Sequence, residues 1–284
     1  MKRQHEDYQV IPYSKVRWWQ AAAYWSVHSK PMMHGLIEVD VTSARAALRE
    51  HAARAGESLS FTAFLIACLA CAVDENKEAH AYRKGKKRLI LFDDVDVWTP
   101  IEHDVAGRKQ VAPTIIRAAN RKVLREISAE IRAAQRRDIA RGASRLRFVP
   151  RILFRPYFWA FAQLGRRYPQ LWKQSVGTVG MTAVGMFAGG SGWGIPIPPP
   201  SLMVTVGGIG EKPAVVDGRI VPRDFLSLTI SFDHEIVDGA PAARFTRRLK
   251  SLIESGYGLE DIIAGSQQPG ANGAAPQVAG ATRA

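Results

Sequence analysis

"LSLTISFDHEIVDGAPAARF", residues 226–245, is the stretch on which the reading of the whole chain turns. Leu226, Leu228, Ile230 and Phe232 alternate with Ser227, Thr229 and Ser231, the period-2 signature of a half-buried strand. The strand runs into Asp233 and His234, a short charged turn, then Asp238 and Gly239. An alanine-rich amphipathic run follows and reads as a helix over Ala240–Ile253. A histidine side chain titrates near neutrality, so one at a strand end can take a proton if its other ring nitrogen is held in one tautomer. Asp238 has two available jobs: to orient that imidazole, or to fix the turn and cap the helix whose early residue is Pro241. Gly239 fits a position of positive φ or close backbone approach. Taken alone, H-x-x-x-D-G reads more simply as a structural turn.

Outward from that strand the chain mixes both periodicities. Residues 15–30 read as an aromatic-faced helix ended by Pro31, and "GLIEVDVT" as a strand. "SARAALREHAARAGE" reads as a polar-faced helix stopped at Gly56, and Ser60–Val73 as a buried one. Strand runs lie at Leu89–Phe92 and Val95–Trp98. "VAPTII" is extended and leads into a long helix with apolar spacing at Val123, Leu124, Ile127 and Ile131. "SLMVTVGGIG" is a strand and "AVVDGRIVPRDF" a hairpin. Such a mixture without strict alternation predicts a single α/β or α+β domain.

The 284 residues suffice for a full core, and 46% hydrophobic with 23% charged residues is an ordinary globular composition. The N-terminus has no apolar signal region, and the longest near-apolar stretch, "PYFWAFAQLG", is half of a bilayer span. Cys68 and Cys71 form a C-x-x-C, but they sit in a uniformly apolar helix with no second Cys/His pair. They read as small buried residues rather than a metal or redox site, and a cytoplasmic location follows. The net charge of +13 is concentrated: Arg121–Lys173 holds fourteen Lys/Arg against three acids.

"SFDHEIVDGAPAARF" resembles the D-H-R-x-x-D-G-A-x-A-A-R-F segment of the catalytic domain of dihydrolipoamide acyltransferases, the cores of 2-oxo-acid dehydrogenase complexes. "IPYSKVRWWQAAAYWSVHSKP", "EVDVT", "LSFTAFLIACLACAV", "VAPTIIRAANRKVLREISAEI", "GTVGMTAVGMFAGG" and "IPIPPPSLMVTVGGI" resemble further segments in family order, from about residue 8 to 256. The resemblance implies the α/β fold shared with chloramphenicol acetyltransferase: a mixed sheet flanked by helices, assembled as a homotrimer with sites between subunits. It implies that His234 is the base for an acyl-accepting thiol, that Thr182 donates to the oxyanion, and that Asp238 holds the loop through Arg17. Its substrates would be coenzyme A and a dihydrolipoamide-like thiol.

Four departures stand out. Glu235 replaces an arginine, Ala67 a lysine, and "VWTPIEHD" a glycine-rich strand and turn. No lipoyl or peripheral-subunit-binding domain is legible before residue 8, so a lipoyl group is expected from a separate lipoylated protein, or free acyl-CoA serves. The alternative is a non-catalytic trimeric scaffold that keeps the fold. An insert at 141–173, with eight Lys/Arg, no acid and a dense aromatic set, is broken by Pro150, Pro156 and Pro169. It reads as internal packing or a trimer contact, as a membrane-surface patch placing the protein at the membrane periphery, or, least favoured, as a nucleic-acid surface. No metal site is expected. Residues 264–284 have almost nothing to bury and are expected to be disordered.

Overall fold

The computed structural model describes residues 17–18, 21–24, 30–85, 87–105, 108–136, 150–185, 190–197 and 200–259. Most of the expected first helix, residues 141–149 of the insert and the C-terminal tail lie outside them. The backbone at 17–18 and 21–24 is helical.

Along the chain come β1 (Met32–Asp40), α1 (Thr42–Ala55), α2 (Phe61–Glu75), β2 (Tyr82–Lys84), β3 (Arg88–Ile90), β4 (Val97–Val105) and β5 (Arg108–Ile116). Then follow α3 (Leu124–Gln135), α4 (Phe154–Arg167), α5 (Pro169–Val176), β6 (Val179–Ala183), β7 (Leu202–Val216), β8 (Arg219–Asp233) and α6 (Gly239–Ser255). Six strands form one sheet in the order β1-β8-β7-β6-β4-β5, while β2 and β3 form a separate ribbon. β6 runs parallel to both β4 and β7, and the remaining pairs are antiparallel.

Local chemistry sets the element ends. Ser60 caps α2, its hydroxyl accepting from the Ala63 amide. Gly56 closes α1 at φ 64°, a left-handed conformation that costs glycine nothing. Asp217 and Gly218, at φ 50° and 76°, make the left-handed pair that a two-residue hairpin requires. The hairpin and the strand expected separately are therefore two continuous 15-residue strands. β4 extends through Pro100 because its parallel pairing with β6 covers only Val97 and Trp98; beyond that point Pro100 faces Pro113 and no ladder donor is needed.

The sheet has two unlike faces. Val204, Val206, Leu226, Leu228, Ile230 and Phe232 lie on one, packed with α2 and α6 residues such as Phe64, Ile66, Leu69 and Leu249. The Phe232 and Phe245 rings meet edge to face at 5.6 Å. Each such buried side chain contributes about 1.5–3 kcal/mol of transfer free energy. On the other face, Thr182, Thr205 and Thr229 stand in one cross-strand row. Residues 190–197 cross that face: Gly192 bridges Gly208, and its amide donates to the Ser227 hydroxyl. A Cβ on Gly208 would lie 1.7 Å from the Gly190 carbonyl oxygen, so this crossing needs a bare backbone.

Of the three prolines expected to break the insert, Pro156 does not. It occupies the first turn of α4, where its missing amide has no intrahelical partner to lose. Pro169 begins α5, and the tight bend between the helices lets Trp172 close over Gly165, where a Cβ would lie 2.6 Å from the indole.

Candidate active site

β8 delivers His234 at the end of the sheet, and Asp233 builds the turn beneath it. Asp233 is buried; its amide donates to the Ser201 carbonyl and its own carbonyl accepts from the amides of Ile236 and Val237. One of its carboxylate oxygens accepts from the Glu235 amide at 3.1 Å, and the other lies 3.7 Å from the Lys30 ammonium. The His234 amide donates to the Pro31 carbonyl at 2.8 Å, tying the loop to the start of β1. The backbone of the histidine is thus fixed from three sides while its ring stays half exposed.

His234 Nδ1 faces a carboxylate oxygen of Asp238 at 3.7 Å. This is longer than a hydrogen bond but within ion-pair reach, and it leaves Nε2 on the side of the ring away from the carboxylate. Asp238 occupies the N-cap position of α6 with extended backbone, yet its side chain makes no capping hydrogen bond. Asp238 therefore caps nothing through its side chain, which is 87% exposed and within ion-pair reach of the imidazole. Gly239 departs from its expected role: it is the first residue of α6, with no positive φ and nothing within 4 Å of where a Cβ would stand. Asp238 makes the turn in the extended region, which leaves ordinary helical angles to the glycine.

Glu235 turns away from the imidazole. Its carboxylate accepts from Arg83 of β2 at 2.6 Å, a pairing with no sequence signal, since "AYRKGKK" reads only as a basic turn. Asp233, Lys30 and Pro31 were equally silent as site residues, although the Asp-His pair closing the strand pattern marked the first of them. Arg17 is exposed on the short N-terminal helical stretch. Ala67 is buried in α2, where a charged side chain would have no water.

Thr182 does not meet His234 within one chain. It pairs with Thr205, which pairs with Thr229, and His234 lies five residues further on. At ~3.3 Å per residue and ~4.8 Å between strands, their backbone positions are about 19 Å apart along the sheet. Thr182 is partly exposed on the sheet face away from the helices, and the Thr205 and Thr229 hydroxyls beside it are buried without a hydrogen-bond partner. Among the described residues, no three His, Cys, Asp or Glu side chains converge as metal ligands, and the Cys68 and Cys71 thiols, unjoined by a disulfide, donate to the Leu252 carbonyl and the Glu75 carboxylate.

The family model described as 2-oxoacid dehydrogenases acyltransferase (catalytic domain) matches residues 5–144 and 172–259. The chain belongs to this family. The lipoamide acyltransferase component of the branched-chain alpha-keto acid dehydrogenase complex of Bacillus subtilis is 26% identical over 225 residues, 78% of this chain and 46% of that protein. The family member spans less than half the length of curated relatives such as this one and its Pseudomonas putida counterpart, of which it covers 18%. Among solved structures, a probable dihydrolipoamide acetyltransferase of Listeria monocytogenes superposes with a TM-score of 0.64 at 23% identity, over 88% of this chain and 95% of that one. The dihydrolipoamide acetyltransferase of Azotobacter vinelandii gives 0.65 at 20% identity, over 91% and 95%; it was investigated for the catalytic roles of one serine, one histidine and one asparagine. At these identities the match establishes the mixed-sheet fold of acyltransferase cores. The family model passes over residues 145–171, so the centre of the aromatic-basic insert lies outside the shared pattern.

Proposed function

We propose that the protein transfers an acyl group between thiols, one belonging to coenzyme A and the other to a dihydrolipoamide-like acceptor. The observation that carries this reading is the His234–Asp238 arrangement: a half-exposed ring on an immobilised backbone, with Nδ1 toward a carboxylate and Nε2 free to accept. A thiol of pKa above neutrality needs such a base. The thiol proton passes to Nε2, and the thiolate attacks the thioester carbonyl carbon. The new C–S bond forms as the carbonyl oxygen takes up negative charge. When that intermediate collapses, the old C–S bond breaks and the departing sulfur recovers a proton from the imidazolium. Thr182 supplies the hydroxyl donor to the oxyanion. Because it stands about 19 Å from His234 in its own chain, the donor comes from a neighbouring copy, and the working unit is the homotrimer. On this reading Thr182, His234 and Asp238 would do the work for which a serine, a histidine and an asparagine were investigated in the Azotobacter enzyme.

The test is thiol release from a panel of acyl-CoAs in the presence of dihydrolipoamide. General-base catalysis is worth ~10²–10⁴-fold, so His234→Ala should lose at least the lower figure while retaining the wild-type oligomer. Unchanged turnover in that variant would refute the assignment.

A further inference from the structure

The insert that the family pattern skips is organised on this chain as a docked helix pair. Along α4, Phe154, Phe158, Phe161 and Gly165 recur at helical spacing and form its inner face: Phe154 is fully buried, and the Phe161 and Trp172 rings meet at 5.2 Å. Beside that face runs a second apolar stripe, Leu153, Tyr157, Ala160 and Leu164, continued by Tyr168, with the Tyr157 ring stacked on Phe161 at 6.4 Å. Its four large members are 45–53% exposed; Trp159 and Ile152 are barer still, at 55% and 83%. Arg155 and Arg167, also exposed, lie on the remaining side of the helix. In sequence, 141–173 carries eight Lys/Arg and no acid. An apolar patch of this kind marks an interaction surface.

The chemistry selects the occupant. The exposed leucines and isoleucine have no use in stacking on nucleobases, whereas exposed aliphatics with Trp and Tyr, on a helix that also exposes arginines, match the boundary between acyl chains and headgroups. Two copies joined face to face through this surface by a two-fold contact would oppose two strongly positive, acid-free segments. Fourteen and eight residues are also too few to span a bilayer, and no described helix is long and apolar enough to do so. We propose that α4 and α5 dock the protein on an anionic lipid surface, the stripe entering the headgroup boundary and the arginines meeting phosphates. Both helices pack on β2, whose Arg83 holds Glu235 beside His234, so docking sets the His234 end of the sheet near the membrane. This holds whether or not the chain transfers acyl groups.

The experiment is co-sedimentation of the full chain with vesicles of phosphatidylcholine alone and of phosphatidylcholine mixed with phosphatidylglycerol, at low and high salt. Binding to the anionic vesicles, weakened by salt, is expected, with each basic residue worth about fivefold in affinity. Arg155→Glu/Arg167→Glu should reduce it at least about tenfold, and Trp159→Ser/Leu164→Ser should reduce it independently of salt. Both variants should keep the wild-type melting temperature and oligomeric mass. Equal pelleting with neutral and anionic vesicles, absence of pelleting, or unaltered binding by both variants overturns the proposal. Loss of the oligomer in both variants reassigns the face to a second copy. Tighter binding of a single-stranded oligonucleotide at the same salt, abolished by the same changes, reassigns it to nucleic acid.

Discussion

Arg83 of β2 and Glu235, the residue after His234, are joined by a 2.6 Å ion pair that spans 152 positions of sequence. Both side chains are nearly half exposed, so the pair contributes little to stability, and a double-mutant cycle on Arg83→Ala and Glu235→Ala should give a coupling below about 1 kcal/mol. Its effect should appear in turnover instead. Glu235→Arg sets two guanidinium groups against each other and pushes the loop off its position. Because small misplacements of a catalytic group can cost up to ~10²-fold, kcat should fall well beyond the change in melting temperature. Restoring opposite charges with Arg83→Glu in the same chain should recover most of it. A Glu235→Arg protein of full activity would show that the loop is positioned without this pair.

A second charged junction lies deeper. Asp96 is buried, and its carboxylate accepts from Arg117 at 2.8 Å and from the Ala118 amide at 2.9 Å. Arg117 also donates to the carbonyls of Lys173 and Gln174 at the end of α5. This one cluster ties the start of β4, the end of β5 and the helix pair that leads into β6, the strand carrying Thr182. Removing one partner of a buried pair costs ~3–5 kcal/mol; with Arg117 half exposed, Asp96→Leu should sit at the lower end, measurable by urea unfolding. A loss below about 1 kcal/mol, the value of a surface pair, would mean that the cluster is decorative.

The sheet and its histidine were legible because β8 alternates cleanly and its partner strands are long and apolar; one buried face leaves no freedom of register. Asp238 was legible as a turn residue beside the histidine, whereas the absence of a side-chain capping bond is a matter of rotamer that sequence does not encode. Gly239 misled because glycine after aspartate signals a left-handed turn, whereas here the aspartate adopts the extended angles and the glycine simply begins a helix. Pro156 misled for a related reason, since proline disrupts a helix only after the first turn. The Arg83 contact had no local signature, because it joins the β2–β3 ribbon to the turn after β8, 152 positions away. The Thr182–His234 separation is likewise a property of strand order, which periodicity does not encode.

His80 gives the fold a pH dependence of known sign. It is fully buried; its Nε2 hydrogen donates to the Phe92 carbonyl at 3.1 Å, and Nδ1 has no partner. Burial, aided by the nearby Lys173 and Lys77 ammonium groups, lowers its pKa from 6.5 to about 4. The unfolded chain therefore binds a proton near pH 6.5 that the folded chain refuses until about pH 4. Unfolding free energy from this group should fall as pH drops through that window, by about 3 kcal/mol in all, and change no further below it. His80→Gln keeps a donor for Phe92 and removes the titration, so its stability curve should be flatter between those limits. Parallel curves for the two proteins in denaturant titrations across that range would contradict the assignment.

The strand arithmetic that separates Thr182 from His234 makes a demand that no single-chain site can meet. On the proposed assignment, a His234→Ala protein would lack the base at every site, and a Thr182→Val protein the oxyanion donor, worth about 10²-fold. If each site takes its histidine from one copy and its threonine from the next, a mixed assembly contains sites where a Thr182→Val chain supplies His234 and a His234→Ala chain supplies Thr182. Such sites are complete. Unfolding the two inactive variants together and refolding them as a mixture should therefore restore a substantial fraction of wild-type thiol release, while each refolded alone stays low. A site built within one chain would be defective in every copy of the mixture, and activity no higher than the mean of the two separate variants would overturn the shared site.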